Sequence, residues 1–323
     1  MSFMKNNNLT GDVIETQELT KKFGEEIAVQ SLNMRVPRGT IFGFIGPSGC
    51  GKTTTVRLLT GIHRPTSGKL TVLGKNPTDF SKSDREKIGY LIQQFVLYPE
   101  LTVWENLNFA ASFYGVSLFR RGRLNKLLDF VELTNDKRKL AGALSGGMKR
   151  RLSLAATLVH NPELLFLDEP TTGIDPILRR KFWDYFKELQ AQGHTLFVTT
   201  QYVNEAAYCD LVGVMYEGRL LMVETPEGLR RKAYGGDVVG IKTTESIRYE
   251  NRKKLESLPF VRGKVKVIND QEIEVVVDDS STAIPALMEG LKAQRLNTET
   301  VEQKSVPFDD VFVKLIETEA ADD

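Results

Sequence analysis

The chain has 323 residues, 26% of them charged, and a formal net charge of +1. That length allows about two domains, and so even a charge balance gives no reason to expect a nucleic-acid partner. Two cysteines, Cys50 and Cys209, make no disulfide framework and suit a reducing compartment.

The first residues, Met1 to Asn8, hold no apolar core, so residues 1–10 are expected to be a disordered N-terminus without a signal peptide. No run in the chain reaches the roughly 18 apolar residues that cross a bilayer. Residues 10–75 alternate short apolar runs with Gly and Pro breaks, which predicts an antiparallel patch plus one buried strand and a helix. Ile41-Phe-Gly-Phe-Ile45 reads as that strand, and a helix can start at Thr53. Between them lies a candidate phosphate cradle: Gly46, Pro47, Ser48, Gly49, Cys50, Gly51, Lys52, Thr53 and Thr54. The glycines let the backbone turn tightly and bring N–H groups to an anion. Lys52 can reach the β- and γ-phosphates, and Thr53 offers a hydroxyl to Mg2+. The plain alternative is a Gly-rich turn with an incidental lysine, and the flanking strand and helix disfavour it. Cys50 at the helix N-terminus is expected to have a lowered thiol pKa, so that its alkylation blocks nucleotide binding.

Residues 103–160 read as mostly helical and carry Leu144-Ser-Gly-Gly-Met-Lys-Arg-Arg151. The Ser145 hydroxyl and the N–H groups of Gly146 and Gly147, at a helix start, make a second anion site. Taken alone, Ser145 reads more readily as an ordinary N-cap, and only its surroundings favour the anion site. The basic run from Lys149 to Arg151 can complement phosphate, and the run from Arg120 to Arg123 reads as a solvated turn. Leu164-Leu-Phe-Leu167 is a short apolar strand of a parallel sheet, ending in Asp168 and Glu169. That carboxyl edge is where open α/β sheets bind ligands. Asp168 suits a hydrated metal ion. Glu169 faces the other way if strand alternation persists, and suits orienting or deprotonating a water. Solvated acids at a strand–loop junction are the alternative. Over 176–190 a helix is expected with Leu178, Phe182, Tyr185, Phe186 and Leu189 on one core face. The three histidines, His63, His160 and His194, sit in no motif, so no histidine-based metal site or triad is expected.

From Thr10 to about Gly236 the chain closely resembles the nucleotide-binding subunit of ATP-binding-cassette (ABC) transporters, of the exporter-type, ABC-2-like multidrug family. Five motifs occur in that family's order: the Walker A loop over 46–53, the Q-loop glutamine Gln93, the signature Leu144-Ser-Gly-Gly147, the Walker B strand with its catalytic glutamate over 163–170, and the D-loop over 171–176. The resemblance implies an α/β P-loop NTPase fold with a mostly parallel core sheet, an antiparallel β patch and a helical subdomain. It implies ATP and Mg2+ as ligands, with Phe23 stacked on adenine. It places Gln93 at the metal or water, Thr53 and Asp168 on the metal, Glu169 as catalytic base and Gln201 near the γ-phosphate. Two copies would face head to tail, each ATP lying between Walker A of one and Ser145, Gly146 and Gly147 of the other. Asp175 would cross that interface. The implied partners are transmembrane permease subunits and a second nucleotide-binding subunit, with no nucleic acid, at the cytoplasmic face of the membrane. A soluble or regulatory ABC ATPase is the alternative. Two positions depart from the pattern: Gln201 stands where the family usually has histidine, and Met148 where glutamine is commonest. Gln201 can donate an amide hydrogen but cannot titrate, which points to a slower ATPase. Phe95, Leu97, Tyr98 and Leu101, after Gln93, are either core or a docking surface.

These boundaries give a nucleotide-binding domain over 11–235 and an accessory domain over 236–323. The double glycine at Gly235 and Gly236 reads as a linker. Beyond it, strands are expected over 238–243, 264–268, 272–277 and 298–303, and helices over 249–258, 283–295 and 308–318. This order suggests a small α+β domain resembling a split βαβ, and it is similar to the C-terminal extension of exporter-type ABC subunits. A packing or dimer-stabilising role is favoured for it over ligand sensing.

Overall fold

The computed structural model describes residues 11–92 and 97–322. The expected disordered segment 1–10, and Gln93 and Phe95, lie outside the described residues. The chain forms two compact units, one running to Val223 and the other beginning at Glu224.

The first unit holds β1 (Asp12–Phe23), β2 (Glu26–Pro37), β3 (Ile41–Ile45), α1 (Lys52–Leu59), β4 (Ser67–Val72), α2 (Lys82–Arg85) and β5 (Ile88–Leu91). It continues through α3 (Val103–Phe113), α4 (Arg121–Phe130), α5 (Gly146–Leu158), β6 (Leu164–Asp168), α6 (Pro176–Ala191), β7 (Thr195–Thr200), β8 (Leu211–Tyr216) and β9 (Arg219–Glu224). β1, β2 and β4 form the antiparallel patch in the order β2-β1-β4. The six-stranded sheet runs β5-β6-β7-β3-β8-β9, and its pairs from β5 to β8 are parallel.

β3, β6 and β7 are buried along their whole lengths, as strands covered on both faces are. Their continuous apolar sequence follows from that burial. A row of rings fixes their register: Phe42 pairs with Phe197 across β3 and β7, and Phe166 with Phe197 across β6 and β7. Phe42 and Phe197 stack with centroids 5.4 Å apart. Each such pair contributes about 0.5–1.5 kcal/mol beyond area burial. With the register locked, Ile45, Asp168 and Thr200 end at the same edge of the sheet.

α6 starts on Asp175, whose carboxylate accepts from the N–H groups of Ile177 and Leu178, with Pro176 in the first turn. Its buried face is Phe182, Trp183, Tyr185, Phe186 and Leu189. The sequence reading missed Trp183 and overrated Leu178, which is half-buried. The run from Arg120 to Arg123 is not a solvated turn. Arg120 is buried and donates to Asn108 Oδ1, Asn108 O and Val116 O, and α4 begins at Arg121.

The second unit comprises α7 (Pro226–Tyr234), β10 (Asp237–Thr243), α8 (Tyr249–Glu256), β11 (Val261–Val267), β12 (Glu272–Val277), α9 (Ser280–Ala293), β13 (Thr298–Gln303) and α10 (Phe308–Asp322). Its antiparallel sheet has the order β11-β12-β10-β13, the split βαβ arrangement. One sheet face builds a core with α8 and α9 from Val239, Ile241, Ile273, Val275, Leu255, Leu287 and Leu291. The unit starts earlier than the double glycine suggested. Gly235, with φ 74°, caps α7 rather than linking two bodies. α7 belongs here because the Arg230 guanidinium lies 4.1 Å from the Phe308 ring centroid and its Nε donates to Val306 O at 3.2 Å.

Candidate functional site

The glycine loop connects the buried end of β3 to α1. Gly46 is there because the chain passes close by: a Cβ on it would lie 2.2 Å from Met215 O. Gly51 has φ 106°, and a Cβ there would lie 2.3 Å from Ala28 O. Both positions exclude a side chain, and Gly51 also needs glycine's backbone freedom. Pro47, Ser48 and Gly49 are exposed, while Thr53 and Thr54 are half-buried on α1.

Lys52 is buried at the first position of α1. Its ammonium donates to Gly46 O and Pro47 O, each at 2.9 Å. It also lies 3.7 Å from Glu169 Oε1. The lysine charge is thus held under the loop by two backbone carbonyls and one acid.

Asp168 ends β6 and is 1% exposed. Its Oδ1 accepts from Thr53 Oγ1 at 3.2 Å and Thr199 Oγ1 at 2.6 Å. Tyr90 OH donates to its Oδ2 at 3.5 Å. Burial, and then the Asp168 charge, push the Tyr90 phenol up to about 12, so it stays a donor at neutral pH. Thr199 and Tyr90 escaped the sequence reading. Thr199 faces Asp168 directly in the parallel register of β6 and β7, a pairing that no local sequence signal announces.

Glu169 does not follow strand alternation. β6 stops at Asp168, and Glu169 adopts φ 47°, the left-handed region that non-glycine residues rarely enter. Its N–H is tied to Thr199 Oγ1 at 3.0 Å, and Thr172 Oγ1 donates to its Oε2 at 3.1 Å. The turn places the carboxylate 3.7 Å from Lys52 Nζ. Gln201 follows β7, and Ser48 Oγ donates to its Oε1 at 2.7 Å, leaving the amide NH2 as a donor beside the loop.

Ser145, Gly146 and Gly147 open α5, with Ser145 and Gly146 exposed. The Ser145 oxygen accepts from Met148 N–H at 3.3 Å. Capping uses a lone pair and leaves the hydroxyl proton available, so the cap and anion readings are compatible. Two members of the basic run behind it are engaged elsewhere: Arg150 donates to backbone carbonyls, and Arg151 pairs with Glu132 at 3.2 Å. Asp175 is exposed at the start of α6. Phe23, at the end of β1, is 45% exposed, edge-on to His63 at 5.4 Å with Lys21 over it. Tyr98 and Phe109 are both about half exposed and meet edge to face at 4.8 Å, with exposed Phe113 on the same helix as Phe109.

Cys50 corrects one expectation. It is 5% exposed, and burial raises its thiol pKa against the smaller opposing pull of Lys52. Less thiolate forms at neutral pH, not more. In the folded chain, Cys50 should react slowly with iodoacetamide at neutral pH, faster only above the ordinary thiol range, and nucleotide binding should survive the treatment. Peptide mass spectrometry checks this, and stoichiometric labelling within minutes at neutral pH would refute it.

A glycine loop at a helix N-terminus, a buried lysine, and two carboxylates at the sheet's carboxyl edge form the site of a P-loop nucleoside triphosphatase. The sequence profile of the family described as ABC transporter matches residues 29–172. The probable multidrug ABC transporter ATP-binding protein YbhF of Escherichia coli (strain K12) is 42% identical over 226 residues, 68% of this chain and 38% of that protein. The chain therefore spans less than half the length of that relative. The daunorubicin resistance ATP-binding protein DrrA3 of Streptomyces coeruleorubidus is 35% identical over 298 residues, 91% of this chain and 93% of that one. The dimeric structure of MJ0796, a bacterial ABC transporter cassette, aligns with a TM-score of 0.61 at 30% identity, over 66% of this chain and 98% of that one. The chain belongs to the ATP-binding proteins of the ABC transporter family.

Proposed function

We propose that this chain binds ATP with magnesium, hydrolyses it, and powers export through separate membrane-spanning partner chains. The convergence of Lys52, Thr53, Asp168 and Glu169 at the end of one glycine loop carries the reading. Lys52 takes the β- and γ-phosphates, Phe23 stacks on the adenine, and Glu169 orients or deprotonates the attacking water. Thr53 and Asp168 fit magnesium, since both present hard oxygen donors and they lie 3.2 Å apart. Among the described residues, no three His, Cys, Asp or Glu side chains gather as a metal site. When bound, magnesium neutralises charge on the transferring phosphoryl group.

Ser145, Gly146 and Gly147 act on the nucleotide of a second copy, head to tail, and Asp175 lies across that contact. That the cassette above is dimeric supports the pairing of two copies. Gln93 links this site to the membrane partner. Among the described residues no helix is long and apolar enough to cross a membrane, and the spanning helices are assigned to partner chains. The exposed aromatic pair Tyr98 and Phe109 supports docking of a permease helix at the cytoplasmic face. The unit from Glu224 onward serves to stabilise the dimer. The names of the relatives speak of multidrug transport and drug resistance, which does not favour a soluble ATPase.

Magnesium-dependent ATPase activity of the full chain, and the identity of the membrane protein that copurifies with it in detergent, test the reading. No turnover and no membrane partner would refute it. At the departing position, Gln201→His should raise turnover several-fold and add a pH step near the histidine pKa of about 6.5. Unchanged turnover and an unchanged pH profile would contradict the role given to Gln201.

A further inference from the structure

We propose that Arg150 is a positioning residue for hydrolysis: it grips the backbone around Glu169 and makes the placement of that carboxylate depend on the helix that begins at Ser145. The inference rests on the ATPase reading above.

Arg150 sits in the second turn of α5 and is 9% exposed. Its guanidinium leaves its own helix for two other segments. Nε donates to Pro170 O at 2.9 Å, and Nη2 donates to Glu169 O at 2.7 Å and to Asp168 O at 3.2 Å. Nη1 donates to Ile92 O at 2.9 Å. Ile92 immediately precedes Gln93 in the sequence. One planar fork thus holds three consecutive carbonyls and the approach to the Q-loop glutamine.

Successive carbonyls of an extended strand point to opposite sides and cannot converge on one donor. They converge here because β6 ends at Asp168 and Glu169 turns into the left-handed region, φ 47°. A guanidinium carries five donors in a fixed planar fork, which suits this cluster, whereas an ammonium is a compact point charge. Without the fork the carbonyls lose their partner, and the unfavourable φ of Glu169 loses a restraint. The carboxylate then drifts from its place beside Lys52 and Thr172. A misplacement of about 1 Å in a reacting group can cost about a hundredfold in rate. In the head-to-tail dimer, Ser145 meets one ATP and Glu169 of the same chain acts on the other. Arg150 then joins the two sites through a single side chain.

The test uses the full chain with Arg150→Met and Arg150→Lys, following ATP affinity with a fluorescent ATP analogue, kcat and KM for magnesium-ATP hydrolysis, and the thermal midpoint. Both folded variants should bind ATP within about twofold of the parent and keep its KM. Turnover should fall about a hundredfold in Arg150→Met and be partly restored in Arg150→Lys, which can still donate to some of the carbonyls. Turnover within twofold of the parent in either folded variant would overturn the proposal. So would equal losses of affinity and turnover with no advantage for lysine, the mark of a merely structural role. If Arg150→Met does not fold, Arg150→Lys alone decides, on its kcat at unchanged KM. A parent chain that neither binds nor hydrolyses ATP would refute the functional reading itself. A working parent with indifferent variants would refute only the role of Arg150.

Discussion

Glu169→Gln should lower ATP turnover by about 10²–10⁴-fold, the usual contribution of a general base, while ATP binding persists. The substitution keeps side-chain volume and leaves an acceptor for Thr172, which donates to Glu169 Oε2 at 3.1 Å. What it removes is the negative charge 3.7 Å from Lys52. The ammonium then has one less competitor for the γ-phosphate, so affinity should hold or tighten. Hydrolysis no longer releases the phosphate bridging two copies, and the ATP-bound dimer should accumulate. Steady-state ATPase assays and light scattering with magnesium-ATP check both halves. Turnover near that of the parent would remove Glu169 from the mechanism.

Lys52→Ala should weaken ATP binding by about a hundredfold, since charge-assisted hydrogen bonds contribute about 1.5–3 kcal/mol each and 1.4 kcal/mol is a factor of ten in affinity. The effect has two sources. One is the lost attraction for phosphate. The other is the loop itself, because Gly46 O and Pro47 O lose the donor that holds them at 2.9 Å. Glu169, 7% exposed, is also left without its nearest cation. Titration with a fluorescent ATP analogue measures the loss. Affinity within threefold of the parent would show that the loop amides bind the triphosphate without this lysine.

Much of this fold was legible in the sequence. β3 and β6 occupy the expected segments because strands buried on both faces carry uninterrupted apolar runs. The elements of the second unit were legible for a different reason: β12 alternates between buried and half-buried positions, β10 is a short apolar run buried along most of its length, and short breaks separate them. The glycine loop was legible because phosphate binding needs local geometry that only certain residues supply.

What stayed hidden depends on long-range contact. Thr199 reaches Asp168 only through the register of two strands distant in sequence. Arg120 reads as part of a solvated turn and Arg150 as a complement to phosphate, yet each is buried against backbone carbonyls. At Cys50 a sound local argument, the helix N-terminus, lost to a larger one, desolvation. The left-handed turn at Glu169 contradicted alternation because the strand stops at Asp168, and the next residue leaves the extended region. Gly235 was read correctly as a break, but as a linker rather than as the cap of α7.

The shared grip on ATP is tested most directly by an experimental structure of the Glu169→Gln chain with ATP and magnesium. The expected result is a two-fold dimer in which each γ-phosphate lies within hydrogen-bond reach of Lys52 of one protomer and the partner's Ser145. A nucleotide seated on Lys52 while every Ser145 faces solvent would contradict it.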